Sequence, residues 1–578
     1  MLIMLRQISF NFVLFLLSVG LHSQESYIDY RSPFHPVVGN SGMVVSQNKE
    51  SSDIGIEILE MGGNAIDAAV AVGFSLAITL PRAGNLGGGG FLLVYLKEKD
   101  EIISIDYRGA SSKNADLFQI FKKSLPDNYD DINRDLVRYG YFASTVPGTV
   151  AGLLEAHERY GKLSLNKVIA PVIKQAREGI IVSYDLHHAI KSAPQLYSDP
   201  ESRRIYFSNE APLAIHSLMK RPDLADTLSL IAKNGKDGFY RGEIAQKIAK
   251  AFSDNKSFIN LDDLASYKAR IQSPISTKYR GNTVFTQGPP SGGGVVLINA
   301  LNVLESFNLN KYKENSAVTY HLIAEALRKG HHARSRNVGD PEFYDVPISS
   351  LVDKKHAREH AQKIKFNTAL PADEIKPIEV INESRDTTHY SIIDKEGNAV
   401  SNTYTLGYSF GSGVTIPGTG ILMNNQMNNF AFKYGDASEI SRSSSPGNKF
   451  EPGKRPMSTM NPVIVKNKDN GIFLITGSPG GSFIPAAALR VISGIIDFDL
   501  DIGEATMLPR IHKDWPYSGL THESSVSSDI IAILNKLGHE AEESKTMGST
   551  QSIHIIDNIR YGYADLRRPN SGVAIQID

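Results

Sequence analysis

The chain has 578 residues, 41% hydrophobic and 21% charged, close to the averages of globular proteins, so whole-chain disorder is excluded. Lys+Arg 61 against Asp+Glu 62 leaves a net charge of -1 without a long basic block, which argues against a nucleic-acid binder, since displacing counterions from phosphate needs a positive field. The chain has no cysteine, which rules out a disulfide, a thiol nucleophile, an iron–sulfur cluster and a cysteine-ligated zinc. Covalent chemistry must therefore start from an oxygen or a nitrogen.

In chain order, Arg6 precedes a mostly apolar run over residues 8–21, interrupted by Asn11 and too short to span a bilayer. Residues 1–23 read as a cleaved secretory signal, which predicts a periplasmic or secreted protein. After it, no stretch reads as long and apolar enough to cross a membrane. Residues 52–80 have helical composition broken at Gly62-Gly63. The glycine run Gly84-Asn85-Leu86-Gly87-Gly88-Gly89-Gly90 precedes a strand-like Phe91-Leu92-Leu93-Val94-Tyr95-Leu96. A phosphate-cradling loop has the reverse order, glycines after a strand and opening a helix, so close backbone packing beside a strand is expected instead. Residues 150–385 read as mainly helical. Within them, residues 317–335 carry His321, Glu325, His331 and His332. His321 and Glu325 lie one helical turn apart without the second helical ligand of a zincin, so no metal site is assigned and a solvated helix face is expected. From residue 387 onward the pattern changes to short β-like runs at 387–394, 399–405, 462–466 and 471–476.

The most informative of these runs frame a turn. Gly397 supplies the left-handed conformation of a three-residue hairpin loop, Lys395-Glu396-Gly397. With Asp394 then paired to Asn398, counting outward puts Thr387 opposite Thr405, two hydroxyls meeting at a strand end. A threonine hydroxyl needs a base, and the nearest is its own α-amine, with an ordinary pKa of about 8. That amine exists only after the chain is cut before Thr387, and the same hydroxyl can make the cut by attacking the Asp386 carbonyl. A threonine hydrolase placed inside a chain is thus a self-processing precursor.

The motifs around this hairpin are similar to those of one family. Thr387-Thr388-His389-Tyr390-Ser391, Asn424-Asn425-Gln426-Met427, Lys454-Arg455-Pro456-Met457-Ser458-Thr459-Met460 and Thr476-Gly477-Ser478-Pro479-Gly480-Gly481-Ser482 resemble the γ-glutamyltransferases, also called glutathione hydrolases. Upstream, Asp106-Tyr107-Arg108, Val146-Pro147-Gly148-Thr149-Val150-Ala151-Gly152 and Pro289-Pro290-Ser291-Gly292-Gly293 match in the same order, so the resemblance covers nearly all of the chain after residue 23. It implies an α+β fold, the four-layer αββα sandwich of the N-terminal nucleophile hydrolases. It also implies a precursor cut between Asp386 and Thr387, whose large subunit (24–386) and small subunit (387–578), roughly 40 and 21 kDa, stay together as a heterodimer.

By the same resemblance, Thr387 is nucleophile and base, Thr405 its hydroxyl neighbour, and the backbone N–H groups of Gly480 and Gly481 the oxyanion hole. Arg108, Ser458 and Thr459 would bind the α-carboxylate of a γ-glutamyl group, and Gln426 would face its ammonium. Glutathione or related γ-glutamyl compounds would be the donors, with water, an amino acid or a dipeptide as acceptor and neither metal nor organic cofactor. Two positions depart from the family. Asn429 stands where an Asp usually faces the ammonium, and Gly407 where an Asn follows the second threonine. A lost charge-assisted hydrogen bond is worth about 1.5–3 kcal/mol, so weaker discrimination against desamino, glutaryl-like acyl groups is expected, and a glutaryl or β-lactam side-chain acylase is the alternative. Residues 434–453 lie where family members carry a lid. A rival nucleophile elbow, Gly407-Tyr408-Ser409-Phe410-Gly411, lacks the helix that such an elbow requires next.

Overall fold

In the computed structural model, residues 32–121, 134–371, 386–432, 445–516 and 519–577 are described, and the body considered below begins at residue 36. The signal assigned to residues 1–23 lies outside the described residues, as does most of the lid region, 434–444.

The break at Gly62-Gly63 separates two helices as the composition predicts. Lys49–Glu60 is amphipathic, whereas Ala65–Thr79 is buried on every side, which its alanine and β-branched content allows. Asn64 and Asp67 close a reciprocal capping box that satisfies the first orphan amides of this buried helix. Beyond it, the glycine run permits close backbone packing. A Cβ at Gly87 would sit 2.1 Å from the Leu422 carbonyl oxygen and one at Gly90 2.4 Å from the Tyr404 Cβ.

Two seven-stranded sheets form the centre. The first is ordered in space Val37–Gly39, Ile559–Ala564, Gln551–Ile556, Ile472–Thr476, Val463–Lys466, Asn282–Thr286, Ile275–Tyr279. The second runs Gly572–Ile575, Met43–Ser46, Thr388–Ile393, Ala399–Thr405, Gly89–Leu96, Glu101–Tyr107, Arg270–Gln272. Neighbouring strands in both are antiparallel. Alternation along the strands builds the layers. Met43, Val45, Leu93, Tyr95 and Ile393 meet Ile464, Ile475 and Ile553 of the facing sheet. The intervening Val44, Leu92, Val94 and Ile392 pack outward against the helical layer that contains Ala65–Thr79 and Thr149–Tyr160. On the other side, Gly292–Leu304 packs on Ile275–Tyr279, with Ala317–Asn337 and Ile484–Phe498 against it. The predicted order, helices then sheets then helices, is the one observed.

Two expectations need correction. Gly481–Phe498 is long and apolar enough, by length and composition, to cross a membrane, but it is mostly buried among the other helices and reads as a core helix. The helix Ala317–Asn337 does not present a solvated face: His321, Glu325 and His331 are all buried. The reason is tertiary. This helix is covered by Gly292–Leu304 and by the strand Ile511–Lys513, and its polar side chains meet partners from distant segments.

Candidate active site

The hairpin has the register read from the sequence. Thr388 pairs with Tyr404 and Ile393 with Ala399, and the Asp394 amide donates to the Asn398 carbonyl at 3.0 Å, closing the loop in which Gly397 has φ +91°. Thr387 therefore falls opposite Thr405, and its hydroxyl donates to the Thr405 oxygen at 3.4 Å. The Thr405 hydroxyl in turn donates to the Asp386 carbonyl at 2.9 Å, while the Gly407 amide donates to the Thr405 oxygen at 2.9 Å. The carbonyl that precedes Thr387 is thus polarised by the neighbouring hydroxyl. The Asp386 side chain is held as well, 3.0 Å from Arg82 Nη1 and 3.4 Å from Arg568 Nη1. Sequence reasoning missed both arginines, which lie 304 and 182 residues from Asp386 and have no local signal.

Thr387 and Thr405 open into a small polar cavity with Arg108, Asn429, Ser458, Thr459 and Gly481. Arg108 sits just past the end of the strand Glu101–Tyr107 and is buried. Its Nη2 donates to Asn429 Oδ1 at 2.9 Å and its Nε to the Pro456 carbonyl at 3.3 Å. Asp106 positions this corner: one carboxylate oxygen accepts the Arg108 amide at 2.9 Å and the other lies 2.7 Å from Arg455 Nη1. Burial opposes the Arg455 charge, but Asp106, Tyr267 and Asp340 together more than offset it and leave the guanidinium more basic than usual.

Glycine packing shapes the Ser458–Thr459 wall. The Gly292 amide donates to the Ser458 carbonyl at 2.6 Å, and a Cβ at Gly293 would lie 1.9 Å from the Thr459 carbonyl oxygen. The Pro-Pro-Ser-Gly-Gly motif therefore acts by letting the 458–460 backbone approach. Gly480 and Gly481 take φ of +133° and +59°, which favour glycine, and Gly481 lines the cavity while Gly480 stands beside Gly548.

Gln426 is not among the lining residues. Its Oε1 accepts the Gly109 amide at 3.1 Å and its Nε2 donates to the Thr405 carbonyl at 2.9 Å, tying the Arg108 corner to the threonine strand. Sequence reading did not single out Asn425, Met460, Ile484 or, as a lining group, Tyr408. Burial raises the Tyr408 pKa. Gly407 has φ +107°, and a Cβ there would lie 2.1 Å from Asn425 Oδ1, which accepts the Tyr408 amide at 2.8 Å. A side chain at 407 would be strained at this φ and would have to displace the Asn425 side-chain amide. Residues 408–413 form turns with no helix after Ser409, whose carbonyl accepts Gln195 Nε2 at 3.0 Å, so the elbow geometry is not formed.

Comparison with known proteins covers most of the chain. The family profile described as Gamma-glutamyltranspeptidase matches residues 51–575. The chain is 41% identical over 540 residues to a glutathione hydrolase proenzyme of Escherichia coli, covering 92% of each chain. A glutathione hydrolase proenzyme of Bacillus subtilis is 32% identical, with 97% of this chain and 96% of that one covered. Among solved structures, a cephalosporin acylase from Bacillus halodurans superposes with a TM-score of 0.82 at 26% identity, covering 96% of this chain and 99% of that chain. A gamma-glutamyltranspeptidase from Helicobacter pylori reaches 0.55 at 34% identity, over 61% of this chain and 97% of that one.

Proposed function

The chain belongs to the gamma-glutamyltranspeptidase family, and from that membership we propose that it is a self-processing glutathione hydrolase, or γ-glutamyltransferase, with Thr387 as nucleophile. The observation that carries the reading is the Thr405 hydroxyl donating to the carbonyl of Asp386, the residue immediately before the nucleophile.

In self-cleavage the Thr387 Oγ bonds to the Asp386 carbonyl carbon, and the carbon–nitrogen bond breaks. The hydroxyl proton ends on the released α-amine, and water then hydrolyses the ester to the Asp386 carboxylate. Thr405 stabilises the charge that develops on the carbonyl oxygen, and Arg82 and Arg568 hold the residue in place. The products are the segment 24–386, if residues 1–23 are removed as an export signal, and 387–578. Export to the periplasm or medium belongs to the same reading. In turnover, the α-amine takes the Thr387 proton while Oγ attacks the γ-glutamyl carbonyl. The oxyanion points to the amides of Gly480 and Gly481, and the leaving amine recovers the proton. Arg108, Ser458 and Thr459 hold the substrate α-carboxylate. The γ-glutamyl ester then passes to water, an amino acid or a dipeptide.

The charge of the cavity favours a second reading of specificity. Arg108 is the only charged side chain among its described lining residues, and Asn429 offers Arg108 a neutral amide. A substrate ammonium therefore gains little over a desamino analogue, and the match to a cephalosporin acylase is consistent with glutaryl-like or β-lactam side-chain acyl groups. Mass spectrometry of the purified protein tests the main reading: a chain beginning at Thr387, with glutathione cleavage, is expected, and an uncut chain without activity overturns it. Glutaryl and γ-glutamyl anilides test the second, which fails if γ-glutamyl is preferred by more than about a hundredfold.

A further inference from the structure

Away from the threonine cavity, two groups of buried histidines and carboxylates stand along the helix Ala317–Asn337. One joins His321 and Glu325 to His539, the other His331 to His512 and Asp514, and in each the candidate ligand atoms lie within 4.8 Å of one another. Neither takes part in the reaction above.

The first group already holds its cation. Lys513 Nζ lies 2.8 Å from His539 Nδ1 and 3.5 Å from Glu325 Oε1, and His539 Nε2 lies 2.7 Å from His321 Nδ1. Burial, followed by the Lys513 charge, pushes His539 down to about 2, so a neutral imidazole bridges lysine and histidine. The donors of this group are already engaged, His539 Nε2 with His321 and Glu325 with Lys513.

The second group differs. His331 Nδ1 lies 3.0 Å from Asp514 Oδ1, and His512 Nε2 lies 3.0 Å from Asp514 Oδ2. Donors bound tetrahedrally at about 2.0–2.1 Å from a zinc ion stand roughly 3.3 Å apart, so these side chains converge at nearly ligating distance. The His512 ring is 3% exposed, and despite that approach neither of its nitrogens makes a hydrogen bond of acceptable geometry among the described residues. Close contact without alignment is expected where lone pairs aim at a shared point rather than at each other. The backbone explains the convergence. His512 lies in the strand Ile511–Lys513 and Asp514 two residues on, an interval that puts both side chains on one side of an extended chain, facing the helix that carries His331.

We propose that His331, His512 and Asp514 bind one zinc-class divalent cation as a structural brace. Two imidazoles and a carboxylate suit such an ion, whereas calcium and magnesium prefer all-oxygen sets. The brace reaches the proposed oxyanion turn: the His512 ring packs edge-on against Phe483 at 4.9 Å between centroids, and the Phe483 amide donates to the Gly480 carbonyl at 3.1 Å. A bound ion would couple the position of that turn to the helix Ala317–Asn337.

The test uses untagged full-length protein, stripped with a chelator, equilibrated with Zn²⁺, dialysed and assayed for metal and for thermal unfolding. Retention of about one zinc per chain is expected, with a rise in Tm that chelator reverses. His512→Ala and Asp514→Asn should each weaken zinc binding by at least about 100-fold and abolish the Tm response, while His539→Ala, in the first group, should retain both. Wild-type protein that holds less than about 0.1 zinc per chain overturns the proposal without any variant, as does undiminished binding by His512→Ala.

Discussion

The threonine hairpin and the histidine helix carry comparable densities of polar, chemistry-bearing residues, yet they differ in how those residues find partners. In the hairpin, Thr387 and Thr405 are 18 residues apart and their meeting follows from a loop of known length and the two-residue period of a strand. On the helix, each histidine meets groups about 180–220 residues away, on a strand or loop that only packing brings near. Local geometry made the first site legible from pattern. For the second, local pattern suggested a solvated face, and burial reversed it.

The largest test of the hairpin is Thr387→Ala, which should leave a single uncut chain and lower glutathione hydrolysis by about 10⁴-fold or more, read by gel electrophoresis and product assay. Should cutting persist, the hairpin is only a hairpin. Thr405→Val keeps the volume but removes the hydroxyl that donates to the Asp386 carbonyl, so self-cleavage followed in time should slow by about 10²–10³-fold. Equal rates for variant and wild type would make that hydrogen bond incidental. In the cavity, Arg108→Gln should lower kcat/KM for γ-glutamyl anilide by roughly 10–100-fold, mainly through KM, because the charge-assisted hydrogen bond proposed to the substrate carboxylate is lost. Asn429→Asp should raise the preference for γ-glutamyl over glutaryl anilide by about tenfold, and an unchanged ratio would remove Asn429 from any account of specificity.

The smallest effect concerns pH and extends the comparison to buried histidines in the two central sheets. Burial pushes His389, in the hairpin, down to about 3, and His554 down to about 4. In the unfolded chain these groups titrate near 6.5, so below that pH the unfolded state takes up protons that the native state refuses. Their stabilising contribution is present above about pH 6.5 and is lost as pH falls toward about 4 for His554 and about 3 for His389. The Tm should accordingly drop between pH 7.5 and 5, and His389→Gln should show a shallower drop. The glutamine keeps polar groups near Thr403 and Ser391, which contact the His389 ring at 2.8 and 3.1 Å, without a titrating proton. A drop of the same slope in the variant would assign the acid sensitivity elsewhere.

Much of the fold could be read from pattern because its units are local. The break at Gly62-Gly63, the strand after the glycine run and the hairpin around Gly397 each rest on a few adjacent residues. The pairing partners across the sheets were not readable in the same way. Met43–Ser46 lies between Thr388–Ile393 and Gly572–Ile575, segments from the start, the interior and the end of the chain, and no nearby residue encodes that choice. The motifs identified the cavity walls, but not the reason for their glycines. A Cβ at Gly293 would meet the Thr459 carbonyl, and Gly407 has a positive φ beside the Asn425 side chain, neither of which is visible from the adjacent residues. Gln426 was legible as a site residue by position, and the structure places it one layer back, bonded to Gly109 and Thr405.

By itself the sequence determined that any nucleophile the protein supplies is an oxygen or nitrogen, since there is no cysteine, and that two threonines oppose each other at the end of a hairpin, since strand periodicity and loop length leave one register. Only the tertiary structure decided which charges surround them. Arg82 and Arg568 on Asp386, Asn429 on Arg108, and the burial of His331, His512 and Asp514 all depend on segments far apart in the chain. Periodicity specifies which face of a strand or helix a residue occupies. What covers that face is set by the packing of the whole chain.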